Sequence, residues 1–129
     1  MIQIDKHLFS ELLAKAEANE RKRINYDLRT SVDDNSQRML NALLPGTLVP
    51  IHRHPNSTEN VICLCGKLRE VFYEEGTFKE YDSFILDPAN GNFGCVVPVG
   101  VWHSVEVLEP SVIFEAKDGK YGEDGSESL

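Results

Sequence analysis

The stretch Gly46-Thr47-Leu48-Val49-Pro50-Ile51-His52-Arg53-His54-Pro55-Asn56-Ser57-Thr58-Glu59 decides how the rest of the chain is read. Two histidines two residues apart in a short extended run project to the same side of a sheet, because the strand side-chain period is two. A carboxylate, Glu59, follows, and a third histidine, His103, lies far downstream. Imidazole nitrogen and carboxylate oxygen together suit a divalent first-row transition metal. The chain has four histidines, and three of them fall where they could converge on one ion.

Outward from this stretch, the sequence after Gln37 is a series of short β-type runs punctuated by Gly, Pro, Asn and Asp. These runs are 38–44, 47–52, 59–65, 67–73, 78–86, 95–97, 103–108 and 112–117. Gly66 between two runs reads as a hairpin turn, and Glu75-Gly76 as another. Upstream, Leu8, Leu12, Leu13 and Ala16 recur at helical spacing, so a helix is expected from His7 to about Glu20, with Asp5 as its cap. Residues 21–35 are polar and turn-prone and read as an irregular arm carrying Arg21, Arg23 and Arg29. One helix followed by about eight short strands predicts a mainly all-β sandwich or barrel. The expected organisation is a helix and arm over 1–36, a β-barrel over 37–122 and a flexible acidic tail over 123–129, with Glu123, Asp124 and Glu127 in the tail.

With 129 residues the chain has the length of one domain, long enough to bury roughly two-thirds of its unfolded surface. A net charge of −8, from 13 basic and 21 acidic residues, argues against a nucleic-acid partner. No signal peptide and no membrane span are expected. Three cysteines, an odd number, do not read as a disulfide framework, so a reducing, cytoplasmic compartment is expected. Cys63, Cys65 and Cys95 read as small buried hydrophobes, and His7 as a solvated helix residue. Trp102 should face away from His103 and serve packing.

The spacing of Gly46, His52, His54, Glu59 and Gly66 resembles the first cupin motif, G-x5-H-x-H-x4-E-x6-G, at every position. Pro98-Val99-Gly100-Val101-Trp102-His103 resembles the second, P-x-G-x2-H. Two departures stand beside this match: Val107 occupies a position where Asn is usual, and Gly91 is one residue early. The resemblance implies a cupin-type double-stranded jelly-roll barrel with an N-terminal α-helix, and His52, His54, Glu59 and His103 as ligands of a divalent transition metal (Zn, Fe, Mn or Ni). It also leaves one or two coordination positions open for water or substrate.

From about residue 5 to 122 the chain is similar to small cupin metalloproteins of the WbuC family. Residues 37–46 running into His52-Arg53-His54-Pro55, and 114–121 near the C-terminus, carry that likeness. Members are associated with bacterial O-antigen and surface-polysaccharide gene clusters.

The expected function is a metal-dependent enzyme acting on a small molecule, such as a sugar or sugar derivative, by isomerase- or epimerase-type proton transfer. Glu115 and Tyr121 are the nominated acid–base groups, and Arg38, Asn41 and Lys117 the nominated substrate contacts. Arg38 and Asn41 cannot both face inward from one straight strand, since their separation is odd. A non-haem iron dioxygenase and a non-catalytic ligand-binding or sensing cupin are the alternatives. A homodimer formed through strand edges is expected, with no membrane partner.

Overall fold

The structure, a computed structural model, describes residues 1–123 and 125–129. Among the described residues one α-helix, α1 (Lys6–Glu17), precedes eight strands, with a short 3-10 turn at Pro88–Asn90. These are β1 (Arg23–Asp27), β2 (Ser36–Leu43), β3 (His52–Arg53), β4 (Glu59–Tyr73), β5 (Glu80–Leu86), β6 (Gly94–Val97), β7 (Trp102–Asp118) and β8 (Glu127–Ser128). Every pairing is antiparallel: β1-β2-β7-β3-β8 follow one another, while β4 pairs with β5, β6 and β7. The result is the mainly β, cupin-type jelly roll with an N-terminal helix. Among the described residues no helix is long and apolar enough to cross a membrane.

Helix α1 starts where the cap was expected: the Asp5 carboxylate accepts the Leu8 N–H at 2.9 Å. It ends at Glu17, a few residues short of expectation. Residues 18–22 instead turn the chain back toward the sheet, and Lys22 takes a left-handed φ of 57° to enter β1. Leu12 and Ala16, one helical turn apart, are buried against Leu40, Ala42 and Val112 on the outer face of the sheet. A second core fills the barrel, with Leu43, Val61, Leu68, Phe72, Val97 and Ile113 among its members. Adjacent residues of one strand thus feed opposite cores, as Ala42 and Leu43 do.

Several boundaries differ from the sequence reading. The supposed arm contains β1, which pairs with β2 from Arg23↔Leu43 to Asp27↔Met39. The run 47–52 reduces to β3, because Pro50 has no N–H to give a ladder.

Gly66 is not a hairpin turn. Strand β4 runs straight through it, and β7 likewise runs through Pro110 opposite. The two long strands bend together here through a series of bulges between Cys63 and Leu68. Gly66 has φ +92°, and a Cβ on it would lie 2.3 Å from the Pro110 carbonyl oxygen. Only glycine fits that bend. The Glu75-Gly76 turn forms between β4 and β5 as expected, with the Glu74 N–H donating to Lys79 O at 2.8 Å.

The expected acidic tail also has structure. β8 pairs with β3, and the Leu129 N–H reaches Ile51 O at 2.9 Å. Asp124, named with the tail, lies outside the described residues.

Candidate metal centre

β3 and β7 run side by side with His52 directly opposite His103, while His54 follows just beyond the end of β3. One ligand atom from each of His52, His54 and His103 lies within 4.8 Å of the others. The ring centroids are 4.2 Å apart for His52 and His103 and 5.1 Å for His52 and His54. His54 and His103 are buried.

The far side of each ring is held. His52 Nδ1 lies 2.8 Å from Pro50 O, and His103 Nδ1 lies 2.9 Å from Val101 O. A carbonyl can only accept, so both Nδ1 atoms carry a proton, which leaves each Nε2 as the ring nitrogen able to offer a lone pair to a metal. His54 Nδ1 sits 2.7 Å from the Ser126 hydroxyl and 3.4 Å from the Lys117 ammonium, so the ring is held from behind by both groups. The Nε2 atoms of His54 and His103 are buried and face the carboxylate oxygens of Glu59. Three imidazole nitrogens gathered beside one buried carboxylate are a donor set that fits a divalent cation.

Glu59, at the start of β4, completes the arrangement. Its Oε2 lies 3.1 Å from His54 Nε2, and its Oε1 lies 3.6 Å from His103 Nε2. Burial opposes its charged form, but the facing imidazoles of His103 and His54 and the Lys117 ammonium hold its carboxyl below the usual range. Burial beside His103 lowers His52 to about 4, so its ring is neutral near pH 7 and open to a metal.

A cavity of about 320 Å³ opens onto this cluster. Its wall includes His52, His103, Glu59, Asn41 and Glu115, with Tyr121 exposed at the mouth. Asn41 Nδ2 donates to Glu115 Oε1 at 2.9 Å. Burial next to Glu59 pushes the Glu115 carboxyl up to about 8.

Two nominated contacts lie elsewhere. Arg38 points away from the cavity, as the odd separation from Asn41 requires, and binds Asp34 Oδ2 at 2.7 Å. Lys117 stands behind the histidines, 3.6 Å from Glu59 Oε2 and in a separate pocket with His54 and Ser126. Trp102 packs opposite His103, with the Arg53 guanidinium 4.7 Å from its ring centroid.

The cysteines are free, and burial raises Cys63 to about 11 and Cys95 to about 12. They stay protonated and apart from the cluster.

The sequence reading missed Glu70, Arg21, Arg23 and Asn25, all of which line the cavity. Glu70 shares its strand face with Leu68 and Phe72, both core residues. A carboxylate in the apolar phase of a strand is a readable signal, and burial, then Glu115 and Glu59, push it well above the ordinary range.

Residues 4–82 match the family described as Domain of unknown function (DUF6016). The chain belongs to that family. No curated protein sequence matches this DUF6016 chain. Among solved structures it is similar to peruvianin-I, a cysteine peptidase from Thevetia peruviana latex, with a TM-score of 0.64 and 15% identity over 83% of this chain and 66% of that one. It is also similar to an oxalate oxidase in complex with the substrate analogue glycolate (TM-score 0.63, 19% identity, 97% of this chain and 65% of that one). A third is Bacillus subtilis oxalate decarboxylase, studied for its Mn(II) centres (TM-score 0.62, 23% identity, 83% of this chain and 27% of that one). The DUF6016 chain therefore spans less than two thirds of each. At these identities the likeness is one of fold, the cupin fold. That fold and the three-histidine cluster together support a metal-binding cupin.

Proposed function

We propose that this protein binds one divalent transition metal through His52, His54, His103 and Glu59, and uses it on a small molecule in the adjoining cavity. The observation that carries this reading is the convergence of three imidazoles, two of which, His52 and His103, line that cavity. Zn, Fe, Mn and Ni all accept such ligands. A cation held there supplies Lewis acidity toward a carbonyl or hydroxyl oxygen, or, as ferrous iron, dioxygen chemistry.

The chain's own groups then supply proton transfer. Burial and Glu59 raise the Glu115 carboxyl in the metal-free protein, and its place in the cavity wall lets it pass a proton to and from a ligand oxygen. Asn41 orients that carboxyl, and Tyr121 at the mouth is the second acid–base group.

Isomerase- or epimerase-type transfer on a sugar derivative is the leading reaction class. The likeness to the WbuC family directs the search toward surface-polysaccharide precursors. The oxalate oxidase among the fold neighbours favours the dioxygenase as the second reading. Three free cysteines support a reducing, cytoplasmic setting.

Elemental analysis of purified wild-type protein and a His52→Ala variant tests the core of this reading. About one equivalent of metal per chain is expected in the first, and a large loss in the second. Equal content in both overturns the assignment. Oxygen uptake by the iron-loaded protein with candidate substrates separates the two reaction classes.

A further inference from the structure

Six arginines occur in the chain, and four of them are ion-paired: Arg29 with Asp27, Arg38 with Asp34, Arg53 with Glu75 and Glu127, and Arg69 with Glu80 and Glu106. Among the described residues, Arg21 and Arg23 have no such partner, and both line the cavity above the histidines. In a chain with 21 acidic residues, two arginines without a carboxylate are a departure that needs a cause.

Their placement follows from β1. Ile24 and Tyr26 pack toward the helix-side core, so Arg23 and Asn25, in the opposite phase, turn to the cavity. The backbone beneath them is pinned. The Thr47 hydroxyl donates to Arg21 O at 2.6 Å, and the Leu44 N–H donates to Lys22 O at 3.0 Å. Arg23 Nη1 gives one hydrogen bond, to Leu48 O at 3.2 Å, out of five donors on its guanidinium. Burial and the neighbouring charge of Arg21 both work against the charged form of Arg23. An oxyanion between the two would relieve that repulsion.

We propose that Arg21 and Arg23 form the recognition end of the cavity, and that its ligand is a small organic oxyanion whose carboxylate or phosphate meets the two guanidiniums while its other end reaches the histidine cluster. This deepens the metal-centre reading and rests on it for the far end of the ligand. Planar guanidinium forks match carboxylate and phosphate oxygens with paired, charge-assisted hydrogen bonds. The buried carboxyls Glu59 and Glu70 lie deeper, while Arg21 is exposed and Arg23 half-buried, so the charged end of a ligand meets the arginines first. About 320 Å³ is at the small end for ligand pockets, which suits a molecule of a few carbons.

Calorimetric titration of the metal-loaded protein with malate, glycerol 3-phosphate and neutral glycerol tests this. At least one charged probe is expected to bind, and glycerol is not; the better of the two shows whether carboxylate or phosphate is preferred. Arg23→Gln should weaken the charged probe by about tenfold and the Arg21→Gln/Arg23→Gln double variant further, by loss of charge-assisted bonds. Arg69→Gln, which removes a paired arginine on the outer surface, should leave binding unchanged. Charged probes that bind no better than glycerol, or that bind Arg23→Gln as well as wild type, overturn the inference. Metal content, measured on the same samples, separates the two readings. Arginine-dependent binding in protein that holds no metal supports this inference and removes the metal centre. Bound metal without oxyanion preference removes this inference alone.

Discussion

Single residues set the character of the cluster. His52 illustrates the electrostatics: its pKa is lowered from 6.5 to about 4, by burial first and by His103 second. The unfolded chain takes up that proton below about pH 6.5 while the folded apoprotein refuses it until about 4. Stability linked to this ring is therefore full above 6.5 and lost as pH falls through that window. The difference in unfolding free energy between metal-free wild type and His52→Gln should shift by about 3 kcal/mol between pH 7 and pH 4, in favour of the variant at low pH. Urea titrations at several pH values measure it, and a pH-independent difference contradicts it. Gly66 illustrates the sterics. Gly66→Ala places a methyl 2.3 Å from Pro110 O in a left-handed backbone, and should cost at least about 2 kcal/mol by the same urea measurement. An equal substitution at Gly76, also at positive φ but in open space, should cost less.

At the scale of elements, β3 and β8 matter beyond their two residues each. Ser126, which precedes β8, touches His54 Nδ1, and Glu127 in β8 binds Arg53 at 2.9 Å. Ser126→Ala should lower metal affinity about tenfold while leaving the melting temperature of metal-free protein nearly unchanged. Competition with a chromophoric chelator reads the first, and thermal denaturation the second; unaltered affinity would show that the hydroxyl merely fills space.

This is also where the sequence was hardest to read. The spacing of His52, His54, Glu59 and His103 exposed the cluster because ligand chemistry tolerates few substitutes. The helix was legible through Asp5, Leu12 and Ala16. Strand β1 was obscured because its cavity-facing residues, Arg23 and Asn25, are polar, which makes a strand look like an arm. Gly66 misled because a bend through bulges and a hairpin both call for positive φ. The tail was obscured because its pairing partner, β3, lies more than 70 positions away in sequence, with Arg53↔Glu127 in register.

For the molecule as a whole, the sheet edges are where assembly is to be tested. β5 and β6 each pair only with β4, and Phe84, Ile85, Phe93 and Val96 are exposed beside those edges. Apolar side chains next to unpaired strand edges invite another chain. A homodimer through this face is our expectation, and sedimentation should give twice the 14.5 kDa chain mass, with Phe93→Asp and Val96→Lys restoring a monomer. A monomeric wild type at micromolar concentration would refute it.

The pairing of His52 with His103 has a further consequence, for the order of events in the cell. These residues are distant along the chain and become neighbours only when β7 closes onto β3. In the proposed metal centre, the His52–Arg53–His54 fragment alone offers an ion two of its three imidazoles, so the full set of three forms only once β7 has closed onto β3. Under that proposal the pool around the folded protein decides which element enters, and material produced in differently supplemented growth media should carry different ions in an identical scaffold.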